Sequence, residues 1–154
     1  MKKLISLALL TISIPVFSQV ISVNELDVLE NQDEPYYRCT HKLVIDEEAN
    51  DTTETVSILF YKNNNYSDLV TIQLDTKEIV KQFTDDLLIS IKSLQNNKAT
   101  ICHREEYKLS ISEGKVLLGH KKDFGNILLE LKYAEDILKW MKTIRFVTID
   151  LQNN

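Results

Sequence analysis

Two periodicities meet between Leu69 and Leu94, and the switch between them constrains the fold more than any other feature of the chain. Val70, Ile72 and Leu74 alternate with Thr71 and Gln73, the period-2 pattern of a strand with one buried face. Beyond them Ile79, Val80, Phe83, Leu87, Ile91 and Leu94 recur at helical spacing, while Lys77, Lys81, Asp85 and Lys92 fall on the other side. Asp75 reads as the N-cap, and Glu78 completes a capping-box-like pair with it. Asn96-Asn97 reads as the stop. A lone helix of this length is marginal in water, so its apolar stripe must be buried against neighbouring strands.

The same plan recurs near the C-terminus. Ile127, Leu129 and Leu131 alternate as a strand, and Ala134 to Ile144 reads as a helix with Ile137, Leu138, Met141 and Ile144 inward. Upstream, Arg38, Lys42, Leu43 and Ile45 match Arg104, Lys108, Leu109 and Ile111 in type and spacing, and Tyr66 to Leu69 matches Phe124 to Ile127. An internal pseudo-duplication is one reading; the other is that any two hairpin-strand-helix segments look alike. Helices that follow runs of strands, rather than each strand, argue against a doubly wound parallel sheet. The expected fold is therefore α+β: an antiparallel, hairpin-rich sheet with two helices on one face. Its order is βββα-βββα plus a short C-terminal strand through Val147, Ile149 and Leu151.

Between these units the strands read as Tyr36 to Ile45, Val56 to Phe60, a long one from Ala99 to Ser112, and Val116 to Leu118. Val20 to Glu34 is an acidic first edge strand or a loose arm. Glu113-Gly114 is a tight hairpin turn of the Asp-Gly type. Three glycines and two prolines leave no flexible linker, so residues 19–154 are expected to form one domain large enough to bury a core.

Residues 1–18 read as a signal peptide of a general bacterial type. Lys2 and Lys3 precede an apolar run from Leu4 to Ile14, Pro15 breaks it, and Val16 and Ser18 put small residues before Gln19. The run is shorter than the roughly 20 residues that span a bilayer, which favours removal over anchoring. The expected location is secreted or periplasmic, with no stable membrane insertion after removal. Loss of Lys2 and Lys3 takes the formal charge from −5 to −7. A chain so acidic repels nucleic-acid backbones, and Lys121-Lys122 beside His120 is a hairpin tip rather than a groove.

The residues able to carry chemistry are few. Cys39 and Cys102 sit on separate expected strands, and in an oxidising compartment a disulfide between them could add about 3–4 kcal/mol. Two buried thiols fit equally well, since strand adjacency does not follow from spacing. Cys39 and His41, two apart on a strand, share a face and could join Cys102 around a metal. Three ligands without a paired-cysteine or HExxH spacing make that weak, and no cofactor is implied. Cys102 and His103 point to opposite faces, so a thiol dyad would need Cys102 or Cys39 with His41.

Asp85-Asp86 is placed on the exposed side of its helix and Glu105-Glu106 on opposite strand faces, so both read as solvated surface. The polar loop from Asp46 to Glu54 lacks the ligand alternation and central glycine of an EF-hand. Trp140 beside Tyr133 is either an aromatic anchor for a partner or a widening of the buried helix face, and the core reading is the stronger. The function expected is that of an exported, non-catalytic module binding a protein or small ligand. The alternative is a small hydrolase or thiol enzyme using Cys102 or Cys39 with His41.

Overall fold

Alternation builds the strands and a change of period closes each run of them. A computed structural model describes residues 19–28, 37–46, 51–61, 69–120 and 125–146. The elements are β1 (Gln19–Val28), β2 (Tyr37–Asp46), β3 (Asp51–Tyr61), β4 (Leu69–Leu74), α1 (Lys77–Gln95), β5 (Ile101–His103), β6 (Tyr107–Ser112), β7 (Lys115–His120), β8 (Asn126–Leu129) and α2 (Leu131–Met141). The expected signal segment 1–18, the C-terminal strand and Lys121-Lys122 lie outside the described residues.

The α+β class and the order of strand runs closed by helices are as expected. The strands divide into two antiparallel sheets, ordered β1-β2-β3-β4 and β5-β6-β7-β8, so each helix follows a four-stranded meander. Of the residues matched by sequence, Lys42, Leu43 and Ile45 lie in β2 and Lys108, Leu109 and Ile111 in β6, and Leu69 and Ile127 lie in β4 and β8, but Arg38 is inside β2 while Arg104 is in the β5–β6 turn.

In the first sheet, Tyr37, Phe60 and Val70 lie side by side, as do Cys39, Ile58 and Ile72, and then His41, Val56 and Leu74. All nine are buried. In the second, Cys102, Leu109, Leu118 and Ile127 form a row, and Ile111, Val116 and Leu129 form the next. One continuous core joins both sheets and both helices. Helix α1 packs on β6 and β7 of the second sheet as well as on β4. Phe83 of α1 meets Tyr107 of β6 edge to face at 4.9 Å, and Tyr133 of α2 meets Tyr37 of β2 at 6.0 Å. Each helix therefore places a ring against a tyrosine that opens a strand of the other half.

Several local expectations shift. Thr76, not Asp75, caps α1, its Oγ1 accepting from the Ile79 amide at 3.2 Å. The stop is as read: Asn97 adopts φ 54°, and the Lys98 and Asn97 amides reach back to the Ser93 and Leu94 carbonyls. Helix α2 begins at Leu131, three residues earlier than its apolar spacing suggests. The long strand from Ala99 to Ser112 is in fact a hairpin, β5 folding back on β6 through Arg104 to Glu106. No glycine or proline marks that turn. Glu113 and Gly114 both take positive φ, 53° and 69°, as the tight β6–β7 turn requires.

Candidate functional site

Among the described residues, two places collect polar groups that could do something. The first is built on Asp86. Counting on from Phe83 by one helical turn puts Asp86 in the buried stripe of α1, facing β5 and β6 rather than solvent. The expectation that Asp85-Asp86 forms an exposed carboxylate pair is corrected for Asp86, which is 5% exposed. Asp85 stays on the surface with Lys81, at 2.7 Å. Glu105 and Glu106 are corrected as well, lying in the β5–β6 turn rather than on opposite faces of a strand.

Asp86 collects donors from two residues. Arg104 approaches two-pronged, Nε to Oδ2 at 2.8 Å and Nη2 to Oδ1 at 3.1 Å. The Tyr107 hydroxyl donates to Oδ2 at 2.9 Å, and the Cys102 thiol lies close enough to feel the same carboxylate. Burial alone would push the Asp86 carboxyl up. The hydrogen bonds from Arg104 and Tyr107, the guanidinium charge and the thiol outweigh it and hold the group below the usual carboxylate range. The same contacts act in reverse on the donors. Burial pushes both groups up first, followed by the Asp86 charge for the Cys102 thiol and by the hydrogen bond to Asp86 for the Tyr107 phenol. Arg104 is likewise raised, chiefly by its hydrogen bond to Asp86.

Chemically this is a fastener. A nucleophilic thiol needs its thiolate favoured by a cation or a base; at Cys102 burial and the Asp86 charge outweigh the nearby Arg104 guanidinium and disfavour it. The carboxylate in turn spends its acceptor sites on the protein's own donors, leaving it poorly placed to take a proton from a substrate.

The other sequence candidates disperse. Cys39 and Cys102 form no disulfide, which corrects that expectation: Cys39 is buried on β2 of the first sheet and Cys102 half-buried on β5, the edge of the second. His41 lies on the face of β2 that Cys39 shares, buried, with Nε2 2.5 Å from Glu54 Oε1 and its ring 5.7 Å from that of Phe146. Among the described residues, no group of three metal-ligating side chains gathers around Cys39, His41 and Cys102. Tyr133 and Trp140 are 5% and 6% exposed and belong to the core, so neither offers a surface ring to a partner. Strand β3 begins at Asp51, which shortens the polar loop read from Asp46 to Glu54.

The second place is a groove that sequence reasoning missed. It has a volume of about 440 Å³, walls that are mainly apolar, and lies between the N-terminal half of α1 and the end of α2. Val80, Met141, Ile144 and Phe146 line it, with Lys77, Lys81, Lys142 and Arg145 among its charged residues. Both helices are read from the sequence, each by itself. The groove exists only because α1 and α2, separated in sequence by the whole second sheet, lie side by side. The available signal was the pair of basic positions at i and i+4 at the start of α1 and the basic pair after α2.

No protein family, curated protein or solved structure matches the chain. No helix among the described residues is long and apolar enough to cross a membrane.

Proposed function

We propose that this is a small, exported, non-catalytic binding protein of the bacterial envelope or medium, matured by removal of residues 1–18, and that the α1–α2 groove receives its ligand. The observation that carries the reading is the state of Cys102. The thiol sits against the Asp86 carboxylate, in surroundings that keep it protonated rather than activate it. His41, the only base put forward for a dyad, is engaged with Glu54 in the other sheet. An apolar groove of this size falls within the ~300–1,000 Å³ typical of small-ligand sites. The acidic balance of the chain disfavours nucleic acid as the partner.

Thiol titration of the natively processed protein tests the reading. Alkylation of Cys102 should be slow at neutral pH and rise only above the ordinary thiol range. A fast-reacting, low-pKa thiol would overturn the non-catalytic reading. Intact-mass measurement should give a chain beginning at Gln19; retention of Met1 would remove the export step.

A further inference from the structure

The chain carries a formal charge of −5, yet four of the six charged side chains lining the α1–α2 groove are basic. Lys81 is already answered by Asp85 at 2.7 Å. Arg145 folds back, its Nη1 donating to the Lys142 and Ile144 carbonyls at 2.9 Å each, where it complements the end of α2. Lys77 and Lys142 make no ion pair among the described residues, and Glu78 is the remaining carboxylate of the lining. Two lysines of this kind can lay their methylene stems along apolar walls while holding the ammonium groups at the rim. Val80, Met141 and Ile144 beneath them are buried in the core and present a fixed apolar floor.

We propose that the groove binds a single-chain amphiphilic anion, a fatty carboxylate, with its hydrocarbon on Val80, Met141, Ile144 and Phe146 and its headgroup between Lys77 and Lys142. The inference rests on the groove being the ligand site and adds the chemical class of the ligand. An apolar tail accounts for the walls, and the excess of positive charge selects the sign of the head. A polyanion would meet the repulsion of the whole acidic chain, whereas a singly charged head meets only its local surroundings.

Calorimetric titration of the full processed protein with laurate and with dodecyltrimethylammonium, both below their micelle concentrations, tests this. Laurate should bind at least tenfold more tightly than the cationic amphiphile. The double variant Lys77→Gln/Lys142→Gln should weaken laurate at least tenfold, and Thr84→Trp, which fills the groove from α1, should abolish its binding. Equal binding of the two amphiphiles, both blocked by Thr84→Trp, would sink the anion while leaving the groove as the ligand site. Laurate binding that survives Thr84→Trp would place the ligand elsewhere and overturn the proposal. Silence with both amphiphiles would overturn the anion and the groove together. The comparison of the two amphiphiles needs no variant, so it stands even where a substitution disturbs folding.

Discussion

Arg104 grips Asp86 with two nitrogens, 2.8 and 3.1 Å from its two carboxylate oxygens, and so ties the β5–β6 turn to the middle of α1. Removing the charge while keeping the shape, by Asp86→Asn, leaves Arg104 without its counter-ion and the Tyr107 hydroxyl with a poorer acceptor. A loss of about 2–4 kcal/mol at neutral pH is expected, read from urea unfolding. The native carboxyl titrates below its unfolded value of 3.8, so the native state binds fewer protons in that interval. The stabilisation is complete above the ordinary carboxylate range and lost as pH falls through the lowered native value. Asp86→Asn should therefore flatten the acid limb of the stability curve; an unchanged limb would show that Asp86 does not set it.

The same substitution should be felt at Cys102. With the carboxylate gone and Arg104 still near, the thiol loses two of the influences that raise it and keeps the one that lowers it. Alkylation by iodoacetamide near pH 8 should accelerate severalfold in the Asp86→Asn variant, with the native protein as reference. An equal or slower rate would mean that burial alone governs this thiol.

A Cβ added at Gly125 would lie 2.2 Å from Val70 Cγ2, inside any real contact distance. The glycine is thus what lets β4 of one sheet lie against the approach to β8 of the other. Gly125→Ala should cost about 1–3 kcal/mol through overpacking. Val70→Ala, harmful alone because it opens a gap, should recover part of that loss in the double variant. Strictly additive effects in that cycle would contradict the close approach.

Glu113 holds a left-handed φ of 53° with no glycine to relieve it. Because that conformation costs an ordinary side chain about 1–2 kcal/mol, Glu113→Asn should raise the melting temperature by a few degrees. Circular dichroism melts decide it; a lower melting temperature would point to a contact of the Glu113 side chain.

Trp140 is the chain's single tryptophan and lies in the core, with Nε1 lacking a hydrogen-bond partner among the described residues. Its emission should be blue-shifted and resist acrylamide quenching. Trp140→Ala should cost about 3–5 kcal/mol. Red-shifted, readily quenched emission from the folded protein would return Trp140 to the surface.

Periodicity made much of this fold legible. Val70, Ile72 and Leu74 on one side of the period change, and Phe83, Leu87 and Ile91 on the other, declared strand and helix through where they must be buried. The stripe of Ile137, Leu138 and Met141 did the same for α2, and Ile144, read as its last inward residue, is buried just beyond the helix end. The β5–β6 turn was not legible because it is made of Arg104, Glu105 and Glu106, none of which has the backbone preferences that announce a turn. Asp86 was misplaced because its partners come from another sheet. A carboxylate reads as surface until a guanidinium and a phenol that satisfy it are brought within reach, and nothing local to α1 says they will be. The groove escaped for the same reason, being a property of two helices together.

The crossed rings carry a consequence for how the molecule comes apart. Phe83 reaches from the first half to Tyr107 in the second, and Tyr133 from the second to Tyr37 in the first. Neither half owns a complete interior, so a chain severed between Asn97 and Thr100 should yield two fragments that are disordered singly and regain structure on mixing. What looks on paper like two tandem modules is, mechanically, one interlocked body.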